Sequence, residues 1–236
     1  MKITLIITTL LLLSNSIFSL DLIFKNSDFY RAIIEYLPRI DINEDKIIQK
    51  EEAENVIELN LMDKNLENVE DLKNFPNIKK LILTQNNIKI LQLSNYFLLE
   101  ELYCAKNQLL KLEISNMPSL KQIACGRNKL KSVKLNNIDS LESLNLMDNL
   151  LSKLNLRDFI KLKYLTVDGN NLSEIDIRQN VELISLTIDK NHIREIDITK
   201  NLNLKMSSLY IDEFVKIIGT KTQLSEYKKA PSIIAN

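Results

Sequence analysis

The feature that most constrains this chain is a period of 21 residues. From Ile78 the sequence aligns on itself as IKKLILTQNNI, then LEELYCAKNQL from Leu99, LKQIACGRNKL from Leu120, LESLNLMDNLL from Leu141, LKYLTVDGNNL from Leu162 and LISLTIDKNHI from Leu183. The shared pattern is L-x-x-L-x-L-x-x-N-x-L, with Ile, Val or Cys at some apolar positions. Its asparagines are Asn86, Asn107, Asn128, Asn149, Asn170 and Asn191, each one period from the last. A weaker copy, VIELNLMDKNL, begins at Val56 with Lys64 at the asparagine position, and a degraded one, SLYIDEF, spans Ser208 to Phe214. A single copy cannot bury its apolar edge. The pattern therefore demands a stack of like coils in which stability is shared between neighbours.

The template carries its own geometry. The alternation in L-x-L predicts one short strand per repeat, and strands stacked ~4.7–4.9 Å apart predict a parallel sheet. The asparagine follows the strand where the chain turns. Its amide is expected to bond backbone groups of its own turn and of the next one, so that the six asparagines form a structural ladder. The second half of each repeat reads LLKLEI from Leu109, LKSVKL from Leu130, LSKLNL from Leu151, LSEIDI from Leu172 and IREIDI from Ile193. These stretches are too short for helices and alternate at period two, which predicts extended segments.

On these motifs the chain resembles the leucine-rich repeat family, from about Val56 to Phe214. The short period is similar to that of secreted and surface-exposed bacterial members, the internalin-like and Bacteroidetes-type proteins. The resemblance implies a leucine-rich repeat solenoid of about eight coils over residues 56–214. A parallel β-sheet is expected on the concave face, short extended segments on the convex face, and a small helical N-terminal cap.

The flanks read differently. Met1 and Lys2 precede an apolar run to Leu13 and then SNSIFS, the three parts of a secretory signal over residues 1–19, with cleavage expected after Ser19 or Ser16. The run is too short to span a bilayer, and no cysteine nearby suggests a lipid anchor. Residues 20–55 form the N-terminal cap. Within it, Phe29, Ile33, Ile34 and Leu37 share one face of a predicted helix, with Ser27 as N-cap and Pro38 as stop. Next, DINEDKIIQKEEA resembles the calcium loop of EF-hands: Asp41, Asn43, Asp45 and Glu52 fill positions one, three, five and twelve. Lys46 replaces the turn glycine, so a solvated acidic turn is the preferred reading over a Ca²⁺ site. Residues 215–236 make a C-terminal cap and tail.

Composition closes several routes. Lys+Arg 31 balance Asp+Glu 31, which leaves no basic surplus for nucleic acid. The three glycines, Gly126, Gly169 and Gly219, are too far apart to write a phosphate loop. The single histidine, His192, excludes multi-histidine metal sites and is expected at the surface of a turn. Cys104 and Cys125 occupy the same inward position of adjacent repeats. Their spacing suits a disulfide, but parallel side-chain vectors favour two buried free thiols.

Function is expected on the variable positions of the concave strands. Ile82, Tyr103 and Tyr164 are apolar or aromatic groups in a solvent-facing stripe, with Lys106 and Arg127 as polar neighbours and Asp168 and Asp189 among several acids toward the C-terminal end. This reads as an exported, secreted, periplasmic or cell-surface, non-enzymatic and monomeric module. It would hold a protein, or a glycan, with no cofactor and no membrane span. The alternatives are a structural spacer without a ligand and, remotely, a hydrolase using Asp168 and Asp189, which stacking would set about 5 Å apart.

Overall fold

The computed structural model describes residues 21–37 and 39–229. The predicted signal segment, Pro38 and the tail from residue 230 lie outside the described residues.

One compact unit comprises the chain to Val56 together with Glu70–Pro76. Its helix Ser27–Tyr36 is capped by Asn26, not by Ser27 as the sequence suggested. Asn26 is extended, and its side-chain oxygen accepts from the amides of Asp28 and Phe29 at 2.9 and 3.1 Å, satisfying donors that the first turn leaves open. Phe29, Ala32 and Ile33 are fully buried, and the rings of Phe24, Phe29 and Phe75 stand 6.1–6.3 Å apart. The fully buried carboxylate of Asp71, on a 3₁₀ turn over Glu70–Asn74, accepts from the amides of Lys25 and Asn26 at 2.7–3.0 Å. A short helix, Lys50–Glu54, follows the acidic loop.

The second unit, residues 57–69 and 77 onward, holds the repeats. Its strands are β1 (Glu58–Asn60), β2 (Lys80–Ile82), β3 (Ile90–Ser94), β4 (Glu101–Tyr103), β5 (Lys111–Ser115), β6 (Gln122–Ala124), β7 (Val133–Asn136), β8 (Ser143–Asn145), β9 (Tyr164–Thr166), β10 (Ser185–Thr187), β11 (Glu195–Asp197), β12 (Leu209–Tyr210) and β13 (Lys216–Ile218). Eight of them form one parallel sheet in the order β1-β2-β4-β6-β8-β9-β10-β12, so each coil lays its strand beside that of the coil before. Register is uniform: Leu81 pairs with Leu102, Leu102 with Ile123 and Leu144 with Leu165. The middle residue of each strand points into the core and is buried, while the flanking residues face outward. The extended segments expected on the other side are present, and three coils join them into a second parallel sheet, β3-β5-β7. The C-terminal segment pairs β13 with β11 and then forms a helix, Lys221–Lys229.

Stacked columns organise the core. Leu61, Leu83, Cys104, Cys125, Leu146, Val167 and Ile188 follow one another, all essentially without exposure. Here the expectation of two free thiols is corrected, because Cys104 and Cys125 are joined as a disulfide across Cα atoms 4.6 Å apart. Each cysteine lies one residue past its strand, where the chain begins to turn. Strict parallelism of the side-chain vectors, the argument for free thiols, applies within the strand ladder, and the Cα separation falls inside the range that the bond accepts.

Polar columns run through the same coils. The asparagine amides donate to the carbonyl three residues back and to one in the preceding coil, as Asn149 does to Leu146 at 3.0 Å and Cys125 at 3.2 Å. Its oxygen accepts from the amide of Leu130, also in the preceding coil, at 3.0 Å. The link therefore runs to the coil before, not to the one after as the sequence reading had it. Asn86, Asn107, Asn128, Asn170 and Asn191 repeat the arrangement. The residue before each ladder asparagine is left-handed: Gln85, Lys106, Arg127, Asp148, Gly169 and Lys190 have φ between 50° and 64°.

Candidate functional site

The outward face of the main sheet is built from the two variable residues of each strand and the residues just past it. At the N-terminal end, Ile82 and Tyr103 are register partners, so their side chains are neighbours on one stripe. Lys80 stands 6.0 Å over the Tyr103 ring and pairs with Glu58 at 3.4 Å. The Tyr103 hydroxyl donates to Glu101 at 2.8 Å. Desolvation, with that hydrogen bond and the charges of Glu101 and Glu58, pushes the Tyr103 phenol up to about 12. This end is thus an aromatic and apolar group framed by matched charges.

Toward the C-terminal end, Tyr164 opens β9 and is 48% exposed, an aromatic ring standing out of the sheet. It lies on the neighbouring stripe, in register with Ser143 and Ser185, three coils from Tyr103 and so ~14–15 Å away. Just past the same strand, Asp168 is buried and its Oδ1 meets no hydrogen-bond donor among the described residues. Burial first and the charge of Asp189 next, with a lesser push from Asp148, hold its carboxyl above its ordinary value against a hydrogen bond from its own backbone amide and a smaller pull from Lys190. Asp189 follows one coil on.

Lys106 and Arg127 do not join the aromatic stripe. Both are left-handed turn residues with exposed side chains at the margin of the face, and Arg127 reaches Asp148 at 3.5 Å. The face therefore divides into an Ile82–Tyr103 group and a Tyr164–Asp168–Asp189 group. His192 is exposed, as expected of a turn position.

The acidic loop is closed by its own hydrogen bonds. Asp41 accepts from the amides of Asp45 and Lys46, Asn43 from that of Asp45, and Glu52 from those of Ile42 and Gln49, at 2.8–3.1 Å. Lys46 does adopt the positive φ of 66° that the missing glycine would favour. Among the described residues, no group of three or more His, Cys, Asp or Glu stands where it would hold a metal ion.

A second polar column escaped the sequence reading. The buried amide of Asn180 donates to Leu156 and Phe159, that of Asn201 to Ile177 and Asn180, and Gln223 of the C-terminal helix to Ile198 and Asn201, at 2.8–3.2 Å. The signal was present as the 21-residue step from Asn180 to Asn201. Gln223 also closes a capping box with Thr220, written in the sequence as T-x-x-Q.

The uniform parallel register, the short coil and the asparagine ladder define a leucine-rich repeat solenoid of about eight turns. Among solved structures, the chain is similar in fold to three proteins of Listeria monocytogenes. It shares 19% identity with internalin C2 over 84% of this chain and 95% of that one, with a TM-score of 0.49. With the internalin InlF it shares 17% identity over 91% and 96%, with a TM-score of 0.33. With the functional domain of InlJ, which includes a cysteine ladder, it shares 20% identity over 75% of this chain, with a TM-score of 0.30, and spans only 58% of that domain. No family model matches the chain, and no curated protein does.

Proposed function

We propose that this chain is an exported, non-enzymatic binding module that holds a protein partner against the concave face of its main sheet. The observation that carries the reading is the presence of large apolar and aromatic side chains, Ile82, Tyr103 and Tyr164, among the outward positions of a sheet face most of whose other strand positions are small or polar. An aromatic anchor flanked by polar groups is the composition of an interface centre. The open face supports capture rather than catalysis, since it offers no walls to exclude water around a reacting carboxylate. Among the described residues no helix is long and apolar enough to cross a membrane. Export rests on the signal-like start of the sequence.

The test is capture of a partner from surface extracts by the chain without its first 19 residues. Tyr103→Ala and Tyr164→Ala are each expected to weaken the captured partner by about 2 kcal/mol or more, with little change in thermal midpoint. Lys153→Ala, on the opposite side, is expected to bind normally. Loss of capture in the Lys153 variant, with both tyrosine variants intact, would overturn the reading.

A further inference from the structure

The outward columns of this solenoid treat charge in two ways. On several of them a cation follows an anion by one coil: Lys121 meets Glu100 at 2.7 Å, Lys163 meets Glu142 at 2.9 Å, Lys134 meets Glu113 at 2.9 Å and Lys216 meets Glu195 at 2.6 Å. The repeat thus brings opposite charges into contact easily. Just past β9 and β10 it does the reverse and stacks Asp168 under Asp189.

Asp168 is only 9% exposed, and its Oδ1 has no donor among the described residues. Leaving a largely desolvated carboxylate beside a like charge is costly, and such a group gains when a cation arrives. The surroundings are acidic as well. Asp148 flanks Asp168 from the coil before and keeps a side chain 47% exposed despite its contact with Arg127. On the far side, the carboxylate of Asp212 is turned to the amides of Lys190 and Asn191. The nearby cations are Arg127 and Lys190, both on the turn margin.

The shape of the acidic column limits the occupant. Carboxylates spaced one coil apart, ~4.8 Å, run along the stack instead of converging, and the described residues contain no group of three or more ligands placed to hold a metal ion. A cation that satisfies them must carry several donors on an extended stem. Tyr164 in the same coil and Tyr210 two coils on are 48% and 40% exposed, and both put aromatic surface on the same sheet face.

We infer that the C-terminal half of the concave face is a subsite for a lysine or arginine side chain, presented by a basic segment of the protein partner and held by Asp168 and Asp189. This rests on the proposal that the face binds a partner, and it adds the chemistry of what is bound. The cation's N–H groups make charge-assisted hydrogen bonds to the carboxylates, while its stem lies against the tyrosine rings.

The probe is an amidated tetralysine peptide titrated into isotopically labelled protein at low salt, with tetraglutamate as control. Saturable shifts are expected at Asp168, Asp189, Tyr164 and Tyr210, and none with tetraglutamate. Asp168→Asn and Asp189→Asn should each weaken tetralysine by about fivefold or more, as removal of one close charge pair does. Asp189 is less buried, so its variant carries the test if Asp168→Asn does not fold. Shifts spread over the acidic surface, around Glu113 or Asp176, would overturn the inference, as would Asn variants that titrate like wild type. If partner capture depends on Tyr103 but on neither aspartate, the cationic subsite falls and the binding face stands. If capture ignores Tyr103 and Tyr164 as well, both fall.

Discussion

At the scale of single residues, the ladder asparagines and Asp168 are opposite cases of a buried polar group. Asn149 is almost completely buried, and its amide and oxygen are both engaged with backbone groups of its own coil and the one before. Asn149→Ala leaves those groups unpaired and is expected to lower stability by about 1–3 kcal/mol, read as a shift in the urea midpoint at constant slope. Coincident melts would contradict the ladder. The Oδ1 of Asp168 lacks such a partner, and burial holds its carboxyl above its ordinary value. A raised pKa means that the folded state disfavours the charged form. The stability of the neutral form is fully present below the ordinary carboxyl range and is lost as pH rises through the folded value. Asp168→Asn is therefore expected to melt higher than wild type near about pH 7, and its advantage should shrink toward about pH 3. An advantage that does not change with pH would show that the desolvated charge is not its cause.

At the scale of elements, strands and turns were legible because the same residue types recur at the same phase. The L-x-L strands, the left-handed turn and the ladder asparagine are each repeated often enough to stand out from local noise. The column of Asn180 and Asn201 was not legible, because the coils before them carry Phe159, Ile138 and Met117 at the same place. A position that changes from apolar to polar along the stack has no fixed letter to align. The C-terminal helix was signalled only by Thr220 and Gln223, a pair that the tail's otherwise patternless sequence masks. The disulfide is not legible from strand geometry, because each cysteine sits one residue beyond its strand. In the acidic loop the expected residues are near one another, but they spend their carboxylates on backbone amides, including that of Lys46. A calorimetric titration with Ca²⁺ to the millimolar range is expected to give no saturable heat. A clear isotherm, tightened by Lys46→Gly, would contradict this account of the loop.

At the scale of the whole molecule, a neutral chain poor in glycine and histidine spends its sequence on repetition. Identical registers from β1 to β12 turn single positions into continuous stripes, so one favourable outward residue gains neighbours of the same kind without any long-range coincidence in sequence. That is how Ile82 meets Tyr103, and how Asp168 meets Asp189. The outward stripes were readable at the level of which residues face away from the core. Which stripes pair their charges internally, and which leave them open, depended on side-chain contacts that no periodicity encodes. The most direct measurement is hydrogen–deuterium exchange of the chain alone and in complex with the partner it captures. Slowed exchange is expected across β2, β4, β6, β8, β9 and β10 and the turns that follow them, with β3, β5 and β7 unchanged. Protection confined to β3, β5 and β7 would contradict the claim that the main sheet is the binding face.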